Sequence, residues 1–111
     1  MSTIDRRTGA ERRRSERSKV TIDVEWETSS GRRAGTLSDI SELGCFVLSD
    51  GDVEDGESVK IFLPLSDGMK VEFAARVTNH VFEIGFAGSF VDTTSAQKEF
   101  LTNFVELHKV D

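Results

Sequence analysis

Cysteine, proline, histidine and long apolar runs are all scarce in this 111-residue chain. A single cysteine, Cys45, excludes an intramolecular disulfide and suits a reducing, cytoplasmic setting. The two histidines, His80 and His108, stand in no Cys/His/carboxylate cluster at ligand spacing, so no metal site is expected. No stretch approaches the ~18 apolar residues that a membrane span needs, and the first residues lack the apolar core of a secretory signal. No membrane insertion is expected. With 37% hydrophobic and 31% charged residues, the chain is long enough for one domain with a small core. No nucleophile–base arrangement or pair of buried carboxylates is legible, so an enzyme is not expected.

The charge is segregated. Residues 1–20 carry seven Lys/Arg and three Asp/Glu; residues 21–111 carry seven and seventeen. A cationic arm on an acidic body points to an anionic ligand held at the arm. The same acidity argues against DNA, because a broad phosphate-tracking surface would be self-repelled. The plainer reading is a basic tail that only aids solubility.

Residues 1–19 show no apolar periodicity and read as a flexible basic arm. Alternation then begins: Val20, Ile22, Val24 and Trp26 share one face of a half-buried strand. Ser29-Ser30-Gly31 is turn chemistry. Further strands are expected over 33–38, 44–48 and around Val59, Ile61 and Leu63, with an acidic loop over 50–56. Pro64, the one proline, cannot donate to a ladder and suits a strand end. Asp67-Gly68 favours a tight hairpin. Val71, Phe73, Ala75 and Val77 face inward on a fifth strand. Asn79-His80 reads as a turn, with Phe82, Ile84 and Phe86 leading into a sixth strand. Gly85 and Gly88 mark a bulge or a close backbone approach there.

The period then changes. Thr94-Ser95-Ala96-Gln97 matches a capping box, and Ala96, Phe100, Leu101, Phe104, Val105 and Leu107 recur at helical spacing. The aromatic stripe is expected to pack on the mouth of the sheet. Six short antiparallel strands and one terminal helix make a small closed or nearly closed barrel.

Two motifs carry the chemistry. Glu11-Arg12-Arg13-Arg14-Ser15-Glu16-Arg17 contains an R-x-x-x-R spacing. The planar guanidinium forks of Arg13 and Arg17 suit phosphate, aromatic faces and the O6/N7 edge of guanine. In Asp39-Ile40-Ser41-Glu42-Leu43-Gly44, the Asp39 carboxylate matches the N1–H and N2–H₂ donors of guanine. Ser41 can donate to phosphate or brace the turn, and Gly44 permits positive φ and close backbone approach. Each motif alone is weak; the second is also what an Asx-turn ending in glycine looks like.

Together and in this order, the basic run before the first strand and D-x-S-x-x-G between the second and third, they resemble the signature of the PilZ domain family. The resemblance covers roughly residues 11–108, including Gly56-Glu57-Ser58-Val59 opening a strand, the 71–77 strand and the final helix. It implies an all-β fold: a six-stranded antiparallel PilZ-type barrel over 20–111 with a C-terminal α-helix, preceded by the arm over 1–19. It implies a bacterial receptor for the second messenger cyclic di-GMP, with Arg13 and Arg17 on guanines and phosphates and Asp39, Ser41 and Gly44 around one guanine. Arg12, just before R-x-x-x-R, is where the family's choice between one ligand molecule and an intercalated pair is influenced; arginine there is compatible with the pair. The run Gly85-Phe86-Ala87-Gly88-Ser89-Phe90 departs from the family, which reaches an aromatic sooner after its last-strand glycine. No cofactor is implied, only the ligand, one or two molecules per protomer. With no second domain in these residues, the output is expected in trans, through a downstream protein effector. The alternative is a PilZ-like interaction module that binds no ligand.

Overall fold

Period-two alternation closes on itself here. A computed structural model of the chain describes residues 18–108. Six strands, β1 (Ser18–Thr28), β2 (Gly31–Ile40), β3 (Gly44–Leu48), β4 (Ser58–Pro64), β5 (Lys70–Val81) and β6 (Gly85–Phe90), form a closed barrel in the order β1-β2-β3-β6-β5-β4. Every ladder is antiparallel. Closure removes the unpaired edges that a small domain would otherwise expose.

The inward residues are those that the alternation marks: Val20, Val24 and Trp26 on β1, Val59, Ile61 and Leu63 on β4, Phe73, Ala75 and Val77 on β5. Trp26 meets Phe86 edge-on, with ring centroids 4.9 Å apart, at the centre of this core. The capping box forms as expected. Gln97 N–H donates to Thr94 Oγ1 at 3.1 Å, and Thr94 N–H donates to Gln97 Oε1 at 2.8 Å. It starts helix α1 (Ser95–His108), which sinks Leu101 and Phe104 into the barrel core and lays Phe100 against Phe73. The Asp67-Gly68 hairpin also forms: both residues take left-handed φ (75° and 76°), and Leu65 N–H donates to the Met69 carbonyl at 2.7 Å.

Several boundaries differ from the expectation, and β2 begins at Gly31, two residues early. β1 begins at Ser18, two residues before the alternation, because Ser18 and Lys19 pair with Ile40 and Asp39. β2 runs on through Ile40, so Asp39 lies inside a strand and not after it. Asn79-His80 is no turn: β5 continues to Val81, with Asn79, His80 and Val81 paired to Ala87, Phe86 and Gly85. The turn falls at Phe82–Ile84 instead, with Glu83 at φ 62° and the Ile84 N–H on the Val81 carbonyl. Cross-strand pairing to β6 outweighs the local turn preference of asparagine. Phe82 and Ile84, expected on a strand, are therefore solvent-exposed.

Candidate functional site

The 39–44 segment is shaped by an irregularity in the sheet. Leu37 and Ile40 are both fully buried although three residues apart. The β2–β3 ladder steps from Leu37↔Val47 to Asp39↔Phe46, so β2 carries one residue more than its partner. This bulge leaves Ser38 and Asp39 together, half-buried, between two core anchors. The β1–β2 ladder is irregular at the same place, between Lys19 and Ile22. Asp39 thus stands at a doubly disrupted point of the barrel wall, with Lys19 as its register partner on one side and Phe46 on the other.

Ser41 turns the chain. It is 5% exposed, and its Oγ accepts from Leu43 N–H at 3.0 Å and from Gly44 N–H at 3.3 Å. Ser41 N–H closes the turn on the Gly44 carbonyl at 2.8 Å. Of the two roles open to Ser41 from sequence, bracing the turn is the one this geometry supplies.

Gly44 needs to be glycine for space and not for φ, which is not positive there. An added Cβ would collide with the Gly88 carbonyl oxygen of β6. Just beyond it the two segments are hydrogen-bonded: Phe90 N–H donates to the Leu43 carbonyl at 2.8 Å. The end of β6 is therefore bonded directly to the motif, a relation that no local pattern signals. Gly85 repeats the device, its Cβ position blocked by the Val47 carbonyl, and β5 carries a bulge between Val77 and Asn79, opposite Gly88 and Ala87.

Ser18 is the register partner of Ile40, so the structure brings the start of β1 beside Asp39 and Ser41. Arg12, Arg13 and Arg17 lie outside the described residues. Among the described residues, no group of three or more His, Cys, Asp or Glu is placed to hold a metal, and no helix is long and apolar enough to cross a membrane.

A second surface feature lies away from this turn. A cavity of about 560 Å³ is lined by Asp23, Glu25, Thr36, Phe62 and Lys70 among others. Lys70 Nζ sits 3.0 Å from Glu25 Oε1, and the Arg32 guanidinium lies over the Phe62 ring at 4.1 Å. The Lys70 hydrogen bond, followed by the charges of Lys70 and Arg32, outweighs partial desolvation and holds the Glu25 carboxyl below its ordinary range. These cations are engaged with the barrel's own groups.

Comparison with known proteins bears on the whole barrel. A family model described as the PilZ domain matches residues 11–107. The PilZ domain of CeSA from a cellulose-synthesizing bacterium superposes with a TM-score of 0.65 at 23% identity, over 82% of this chain and 95% of that one. The PilZ domain of YcgR from Escherichia coli, solved with c-di-GMP, gives 0.69 at 12% identity over 82% and 86%. PlzA from Borreliella burgdorferi, solved in complex with c-di-GMP, gives 0.67 at 10% identity; 91% of this chain matches 44% of that one, so the likeness spans less than half of PlzA. At these identities the likeness is one of fold. No curated protein sequence matches.

Proposed function

The chain belongs to the PilZ domain family, and from that premise we propose that it is a cyclic di-GMP receptor whose basic arm is ordered on the barrel when the ligand binds. The observation that carries this reading is the preformed turn at Ser41, which follows directly on Ile40, the register partner of Ser18 at the start of β1. Two solved PilZ relatives hold the same ligand.

The ligand is a dianion with two guanines. The acidic body repels it at long range, and the arm attracts it. Asp39, held at the bulge, accepts from the N1–H and N2–H₂ of one guanine. Arg13 and Arg17 clamp phosphate and guanine edges with charge-assisted bonds, each worth about 1.5–3 kcal/mol net. Arg12 adds a stacking cation that admits a second, intercalated ligand molecule. Ser41 and Gly44 act on the pocket's shape: one braces the turn, the other lets it lie flat on β6. Ordering the arm costs about 1–2 kcal/mol per residue, so binding and closure are one event, and the changed surface is what a partner protein reads in trans.

The test is calorimetric titration of cyclic di-GMP into the chain, into Arg13→Ala/Arg17→Ala, and with GTP as control. Saturable binding with a Kd of about 1 μM or below, lost in the double variant and absent with GTP, is expected. The molar ratio reads the Arg12 question. No heat, together with no ligand-induced NMR shifts around Asp39, would overturn the receptor reading and leave an interaction module without ligand.

A further inference from the structure

The far end of the barrel exposes apolar side chains that the fold does not use. At the end of β3 and β6 opposite the 39–44 turn, about 14 Å along the strand, Phe82 and Ile84 are 72% and 54% exposed. Val81 and Leu48 beside them are 43% and 40% exposed. Leu48 pairs with Gly85, and Ser49 N–H donates to the Ile84 carbonyl at 3.0 Å, so the four belong to one end of the molecule. The hairpin is closed by backbone bonds and by Glu83 at positive φ, neither of which needs phenylalanine or isoleucine next to it. Apolar area held in water with no return in folding marks an interaction surface.

Its setting is acidic. The 49–57 loop carries Asp50, Asp52, Glu54, Asp55 and Glu57 and no Lys or Arg. The loop is anchored by buried Val53 and tied to β5 by Asp55 Oδ1, 2.8 Å from His80 Nδ1. Loop and hairpin enclose a groove of about 220 Å³ lined by Asp52, Glu54, His80, Phe82 and Glu83. Two cations approach the loop: Arg76 donates to the Gly56 carbonyl at 3.0 Å, and Arg33 packs against Gly51. The carboxylates remain in excess.

We propose that this hairpin tip docks a partner protein whose surface offers an apolar socket for Phe82 and Ile84, flanked by Lys or Arg that enter the acidic groove. The charge decides among occupants. A second copy meeting tip to tip would oppose two acidic rims, and an anionic lipid surface would be repelled. The inference rests on the reading of the chain as an adaptor, but the surface is separate from the ligand turn.

A phage library of random dodecapeptides, panned on the intact chain, tests it. The recovered peptides should combine Lys or Arg with Leu, Phe or Trp. They should lose at least ~tenfold in affinity for Phe82→Ser/Ile84→Ser and for the charge-reversed Asp52→Lys/Glu83→Lys. All these positions are exposed, so both variants should keep the parent Tm and the parent's cyclic di-GMP titration. No enrichment, acidic peptides, or peptides that bind the variants equally would overturn the proposal. So would a chain that sediments as a dimer dissolved by Phe82→Ser/Ile84→Ser, which would assign the tip to self-association. If the peptides behave as expected while no form of the chain binds cyclic di-GMP, the receptor reading falls and the docking surface stands.

Discussion

The backbone of Gly44 lies against the carbonyl oxygen of Gly88, close enough that no side chain fits between β3 and β6 at that point. Gly44→Ala must therefore push two strands apart. Overpacking of this kind costs about 1–3 kcal/mol, which for a domain of this size lowers Tm by at least about 4 °C. Thermal unfolding without ligand checks it. A parent-like Tm would mean that the two strands yield freely.

Ser41 supplies a second prediction, one that separates a bracing hydroxyl from a ligand-contacting one. Ser41→Ala leaves the N–H groups of Leu43 and Gly44 without their side-chain acceptor. The Gly44 N–H is buried and the Leu43 N–H partly so, and leaving a buried polar group unpaired costs about 1–3 kcal/mol. The loss should appear in urea denaturation of the free protein, with faster hydrogen exchange at Leu43. If the free protein is unchanged and only ligand affinity drops, Ser41 acts on the ligand directly.

The capping box predicts coupling. Thr94 and Gln97 satisfy each other's N–H, and Gln97 Nε2 also donates to the Glu72 carbonyl of β5 at 3.0 Å. Thr94→Ala should cost about 0.5–2 kcal/mol. Thr94→Ala removes only the acceptor of Gln97 N–H, and Gln97→Ala only that of Thr94 N–H; because each bond holds the geometry of the other, the two changes together should cost less than the sum of the two singly. Strict additivity in a double-mutant cycle would refute the coupling.

Glu25 sets a pH dependence. Its carboxyl ionises below the ordinary 4.5 because Lys70 donates to it, with Arg32 adding. A lowered native pKa means that the ion pair supports folding fully above the unfolded carboxylate's pKa. The support disappears as pH falls through the native value. Lys70→Met should move the Glu25 pKa back up toward 4.5 in an NMR titration. The change in stability should be slight, because the pair is solvent-screened. A pKa unmoved by the substitution would assign the effect to Arg32.

How much was legible follows the range of the interactions. The inward faces of β1, β4 and β5 could be read from Val20, Val24, Trp26, Val59, Ile61, Leu63, Phe73 and Val77, because alternation is local. The helix start at Thr94 and the Asp67-Gly68 hairpin were legible for the same reason. The turn after β5 was not. Asn79 and His80 have turn chemistry, but β6 pairs with them and His80 bonds Asp55 from a loop 25 positions earlier. In the 39–44 segment, Asp39 and Gly44 were legible as residue types, while the bulge that frames Asp39 arises only where β1 and β3 both meet β2.

By itself, then, the chain's residue order determined the number and faces of the strands, the helix with its cap, and the paired motifs that mark its family. Each of these is written within a few neighbouring residues. Only the tertiary structure decided that Gly44 is required by Gly88, that Ser41 is turned inward as a brace, and that Phe82 and Ile84 are left in water. Those outcomes depend on which distant strand lies alongside, and barrel closure alone settles that.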